Sequence, residues 1–76
     1  MARLVPAEYR TLEKFVKSVG CTFERQTSSH LVYWRNDLLR PIIIPKYKLV
    51  PKFIIRNILR QLNISVEDYC RLIGSR

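Results

Sequence analysis

Glycine is scarce in this chain, at 2 of 76 residues. A loop that cradles phosphate with backbone N–H groups needs several glycines close together, so Walker-type and GxGxxG nucleotide sites are excluded. Cysteine is equally sparse. Cys21 and Cys70 form no CxxC pair and read as small apolar residues of a reducing compartment, with no disulfide expected. Histidine occurs once, at His30. One imidazole and two separated thiols give no recognisable spacing for the three or four protein ligands of a zinc site. The acids number 6 and cluster only at Glu67-Asp68, which suits a helix N-terminus better than a cation. No metal and no cofactor are therefore expected. There is no GxSxG elbow. Ser28 and Ser29 abut His30, but neighbouring strand residues point to opposite faces, so no Ser-His pair is expected. No apolar stretch approaches the roughly 18 residues of a membrane span, and no apolar signal-peptide core precedes the first helical pattern. The expected location is the cytoplasm, with no membrane contact.

What the chain does have is positive charge. Lys and Arg number 14 against 6 Asp and Glu, giving +8 and an isoelectric point near 10.1. Such an excess favours polyanionic partners, nucleic acid first and an acidic protein surface second. Against these stands the plain reading of a solvated surface tuned for solubility. Apolar residues make up 47% and charged residues 26%, a globular balance that argues against disorder. The length suits one domain over residues 1–76, too small for a deep cleft, so any site must lie on a surface groove.

Residues 4–19 carry an amphipathic helical pattern, with Val5, Tyr9, Leu12, Val16 and Val19 as the apolar stripe. Pro6 suits the first turn of such a helix, and Gly20 suits its end. Residues 21–26 alternate as a short strand. Thr27-Ser28-Ser29 is a polar turn, and a second strand runs from His30 to Arg35. After Asn36-Asp37, a third strand is expected from Leu38 to Ile44, stopped by Pro45. Pro51 opens a helix to Leu62 with Ile55, Ile58, Leu59 and Leu62 as its apolar stripe, and Asn63 suits a left-handed C-cap. Ser65 and Asp68 resemble a capping box, with Ile64 and Tyr69 at the staple positions of a last helix over residues 66–73. The order predicts an α+β domain of αβββα(α) plan. A three-stranded antiparallel meander carries the helices on one face, as in double-stranded-RNA-binding domains, and the other face is left free.

His30 is the one side chain whose ordinary pKa lies between pH 5 and 8. Alternation puts it on one strand face with Val32 and Trp34, and puts Leu31, Tyr33 and Arg35 on the other. Both faces are partly aromatic, so alternation alone does not say which is open. Lys52, Arg56 and Arg60 repeat every four residues as a cationic ridge, which reads either as a phosphate or acidic-partner contact or as an ordinary solvated helix face. Lys46 and Lys48 flank Tyr47, an aromatic that can stack on a base.

The ordered set Gly20, Arg25-Gln26, Ser28-Ser29-His30 and Tyr33 resembles the HicA toxin family. That family's pattern is a glycine ending the first helix, an Arg-Gln/Ser pair, Gly-Ser-His, and an aromatic three residues on. The resemblance continues through Ile42-Ile43-Ile44-Pro45, Leu49-Val50-Pro51, Ile58-Leu59-Arg60-Gln61, Ile64-Ser65 and Tyr69. There are two departures. Ser28 stands at the usual glycine, where a positive φ would cost Ser about 1 kcal/mol. Tyr47 stands where a basic residue or His often follows the proline.

The resemblance implies a toxin of a type II toxin–antitoxin pair: a small ribonuclease that cuts messenger RNA without a metal. Its antitoxin would be of HicB type and would cover the histidine site. mRNA and that antitoxin are the implied partners, with no direct contact to DNA. His30 is the implied catalytic residue. Arg25, Ser29, Lys46, Tyr47 and Lys48 are the candidate RNA-binding residues. Water, Tyr33, Tyr47 or a lysine would supply the second proton transfer. The alternatives are a non-catalytic RNA-binding module on the same fold, and a basic adaptor that binds only protein.

Overall fold

A computed structural model describes residues 3–74. The elements follow one another as α1 (Tyr9–Ser18), β1 (Thr22–Gln26), β2 (His30–Trp34), β3 (Ile42–Pro45), α2 (Lys52–Leu62) and α3 (Val66–Leu72). The strands form one antiparallel sheet in the order β1-β2-β3. Helix α1 packs on β1 and β3, α2 packs on β3, and α3 joins α1 and α2. The expected α+β plan is thus the observed one.

The core lies between the helices and one sheet face. Leu12, Phe15 and Val16 of α1 meet Leu31, Tyr33, Ile42 and Ile44 of the sheet and Ile55, Ile58, Leu59 and Leu62 of α2. Tyr69 of α3 joins them, its ring edge-on to Phe15 at 4.9 Å. The sequence stripe of α1 omitted Phe15, which lies three residues beyond Leu12 on the same face. A helix face turned to a core is wide enough to include it.

The helix ends follow local chemistry. Gly20 has φ +96°; its N–H donates to Lys17 O, and the Cys21 N–H donates to Val16 O. These paired bonds are a Schellman ending, which needs a left-handed residue at that position. Asn63 repeats the device at the end of α2, with φ 59° and the Ile64 N–H donating to Leu59 O. Ser65 Oγ accepts from the Asp68 N–H at 3.1 Å. The reciprocal half of the box is missing, because the Asp68 carboxylate accepts from Arg71 Nη2 at 2.8 Å instead.

Two expectations change. Helix α1 starts at Tyr9, not near Leu4. Ala7 pairs with Val50 in an isolated bridge, its N–H donating to Val50 O and its C=O accepting from the Val50 N–H. Backbone groups spent on that bridge are lost to a helix. Pro6 adds to this by disfavouring the helical conformation at Val5, which is exposed while Leu4 is buried. The third strand is shorter at its start and longer at its end. The Leu38 N–H turns back to Arg35 O at 3.0 Å, and Gln61 Nε2 donates to Pro41 O at 3.3 Å, so residues 38–41 form a loop tied to α2. Pro45 then closes the strand opposite His30. An edge strand tolerates its missing N–H.

Tyr33 anchors the sheet to α1. Its ring is fully buried, and its hydroxyl donates to Glu13 Oε2 at 2.6 Å. Burial, reinforced by that hydrogen bond, raises its pKa. Burial also pushes the Tyr69 phenol up to about 12, and its hydroxyl has no hydrogen-bond partner among the described residues. Both phenols hold their protons more tightly in the fold than in the unfolded chain. Neither phenol therefore costs the fold any charge below an ordinary phenol's value of about 10, and the fold loses stability as pH rises above it. Urea unfolding should show Tyr33→Phe costing about 1–2 kcal/mol at neutral pH. Tyr69→Phe should be neutral or slightly stabilising there. Each variant should lose less stability than wild type between pH 9 and 12.

Candidate active site

The turn between β1 and β2 builds the site. The Thr27 N–H donates to His30 O at 2.9 Å, and the His30 N–H donates to Thr27 Oγ1 at 3.1 Å. Three residues therefore close the hairpin with no left-handed backbone, since Asn63 is the one non-glycine with positive φ among the described residues. Ser28 is consequently unstrained, and the turn differs in shape from one that requires glycine.

His30 opens β2 and is exposed. Leu31 and Tyr33 go into the helix-covered core, whereas Val32 is buried outside that cluster. His30, Val32 and Trp34 therefore lie on the face the helices leave uncovered, which resolves what alternation left open. Register adds Arg25 and Ile43 beside Val32, and Pro45 beside His30. Arg25 is reached through a bulge at Glu24 and is paired to the Glu24 carboxylate at 3.4 Å, an exposed and therefore weak ion pair.

Ser29 Oγ lies 3.2 Å from His30 Nδ1. The expectation that Ser29 points away from the ring fails because Ser29 belongs to the turn, not to the strand. With a neutral ring, the hydroxyl donates to Nδ1 and favours the proton on Nε2. Nε2 itself has no partner among the described residues. The carbonyl of Ser29 accepts from the Lys46 N–H at 2.9 Å, which brings the base of the Lys46 side chain to the histidine turn.

The other candidates spread out. Tyr47 is half-exposed in the loop after β3. Lys48 lines a depression with Glu8, Tyr9 and Arg10 at the start of α1, so Lys48 is grouped with α1 and not with His30. Lys52, Arg56 and Arg60 are all exposed on α2, and Arg60 shares a hollow with Arg40, Asn57 and Gln61. Tyr33, one of the possible second proton donors, is buried against Glu13 on the opposite face and cannot reach a substrate at His30. Sequence reasoning passed over Thr27 as a mere turn residue, although it holds the histidine backbone. It also passed over a groove beside Trp34 at the β1 edge of the sheet, lined by Thr22, Phe23, Glu24, Arg25, Trp34 and Pro41. The signal for that groove was the alternation of His30, Val32 and Trp34.

The described residues contain no group of three or more His, Cys, Asp or Glu that could hold a metal ion, and no described helix is long and apolar enough to cross a membrane. Across known proteins, a family model described as the HicA toxin of bacterial toxin-antitoxin systems matches residues 9–64. The chain belongs to the HicA toxin family. It is therefore the toxin of a toxin–antitoxin pair, and an antitoxin is its implied partner. No curated protein and no solved structure matches it. The HicA match spans His30, the whole sheet and α2, and it ends where α3 begins.

Ser29→Ala should free the ring. Nitrogen NMR of the His30 imidazole should show the two neutral tautomers moving towards equal population, while stability changes by less than about 0.5 kcal/mol, since Ser29 is exposed.

Proposed function

We propose that this HicA-family toxin is a metal-independent endoribonuclease that cuts mRNA with His30 as its catalytic residue, and that a HicB-type antitoxin neutralises it by covering the open sheet face. The observation that carries this reading is His30 itself: an exposed imidazole, oriented by Ser29, on the uncovered face of a sheet in a chain of charge +8.

RNA brings its own nucleophile, the 2′-hydroxyl beside the scissile phosphate. His30 takes the 2′-OH proton as general base or gives one to the departing 5′-oxygen, while a second group performs the other transfer. As the O2′–P bond forms and the P–O5′ bond breaks, the products are a 2′,3′-cyclic phosphate and a 5′-hydroxyl. Lys46, next to the turn, and Arg25, on the same face, balance the charge on the phosphorane and hold its neighbours. Tyr47 contributes from the same loop, and Lys48 tracks the strand further off. General acid–base help of this kind amounts to about 10²–10⁴-fold, so a modest enzyme is expected. Cytoplasmic action follows from an mRNA substrate.

The test is purified protein on a defined RNA. Wild type should leave 2′,3′-cyclic ends and be unaffected by EDTA. His30→Ala should lose about 10²-fold or more in cleavage, lose toxicity on overexpression, and still bind RNA. Ser29→Ala should fall less, by about tenfold. If the histidine variant cuts as wild type does, or if wild type cuts nothing between pH 5 and 9, the ribonuclease reading is wrong. RNA binding without any cleavage would favour the non-catalytic module.

A further inference from the structure

We propose that the groove around Trp34 is a stacking subsite for an unpaired base next to the scissile phosphate, so that the substrate is single-stranded RNA despite the resemblance of the fold to double-strand binders. This inference rests on the ribonuclease reading above.

Trp34 is the one tryptophan of the chain. It ends β2 on the same face as His30 and is only partly buried. Its indole N–H donates to no described residue. Thr22, paired with Trp34 across the strands, and Pro41 line the same groove together with Arg25. Val32, between His30 and Trp34 in β2, is buried, and Ile43 beside it is partly exposed. The face is thus an apolar floor with an aromatic at one end, the imidazole at the other and a cation between them. That is the chemistry of a nucleotide strand: bases present flat π faces, and phosphates present charge. The weak Glu24 pair leaves Arg25 available to a phosphate.

Spacing supports this reading. Four residue steps of strand separate His30 from Trp34, about 13 Å at about 3.3 Å per residue. That exceeds the reach of one nucleotide, so a base on Trp34 belongs to a neighbour of the nucleotide at His30. Bases inside a duplex are already stacked on each other and offer no free face to an indole. Only an unpaired strand can lie along this floor.

The lone tryptophan is also the reporter. His30→Ala protein, which does not cut, is titrated with a short single-stranded oligoribonucleotide and with a duplex of equal length. The single strand should quench the tryptophan fluorescence, and the duplex should not. Followed by anisotropy of labelled RNA, Trp34→Leu in the same background should bind the single strand about tenfold more weakly. Trp34→Phe, which keeps an aromatic face, should recover most of the loss. Stacking releases no counterions, so the loss should be the same at low and high salt, whereas Arg25→Ala should reduce the salt dependence. An oligonucleotide lacking one base, scanned along its length, should weaken binding to the parent at one position beside the cut site. It should not weaken binding to Trp34→Leu there.

RNA that binds without changing the fluorescence, with equal affinity for the Leu and Phe variants, overturns the subsite. If wild type still generates cyclic ends in that case, only the subsite is lost. If no RNA binds and none is cut, the ribonuclease reading fails with it. A Trp34→Leu effect confined to antitoxin affinity overturns the subsite and assigns the groove to protein.

Discussion

The orientation of β2 is the constraint on which the molecule depends. Leu31 and Tyr33 turn towards the helices, and the Tyr33 hydroxyl is locked to Glu13 on α1. A strand has only two faces, so burying these two residues sends His30, Val32 and Trp34 to the other side. A slip of one residue would bury the imidazole and expose the tyrosine. The Tyr33–Glu13 bond, the edge contact of Phe23 on Tyr33 at 5.6 Å and the Schellman ending at Gly20 all hold that register. Arg35 strengthens it further. Its guanidinium donates to Val19 O at 2.7 Å and grips Asp37 with two more bonds, tying the end of α1 to the end of β2.

A chain this small cannot enclose a substrate. The candidate site is accordingly laid out along a surface, with the imidazole at one end and, on the proposed reading, an aromatic groove at the other. Such a layout suits a polymer better than a small molecule, because successive units can occupy successive positions along the strand. It also suits control by a protein partner. A flat, uncovered face can be blocked by another surface with no rearrangement of the core beneath it. On the proposed reading, the same exposure that admits RNA makes the toxin easy to silence.

Much of this was legible in the residues. Gly20, Asn63 and Ser65 marked helix ends because their chemistry is local: left-handed backbone for the first two, a hydroxyl acceptor for the third. The stripe of α2 was complete because helical period alone defines it. The start of α1 was misread because Pro6 is as acceptable in a first helical turn as in an extended segment, and only Val50 decides between them. Leu38 to Pro41 looked like strand because apolar residues in a loop resemble apolar residues in a sheet until Gln61 is seen to hold them. The Ser29–His30 contact was missed for a related reason: alternation holds inside a strand, and Ser29 sits one residue outside it.

The sequence alone therefore determined the class of fold and the family, and it supplied the excess of positive charge and the one histidine, since each depends on residue type and near-neighbour spacing. The tertiary structure decided which face of β2 is open, because that depends on which side the helices cover. It also grouped Lys46 with His30, sent Lys48 to α1, buried Tyr33 against Glu13 away from His30 and put Trp34 beside Arg25. Those are pairings between residues far apart in the chain, and strand register and packing set them where no local pattern can.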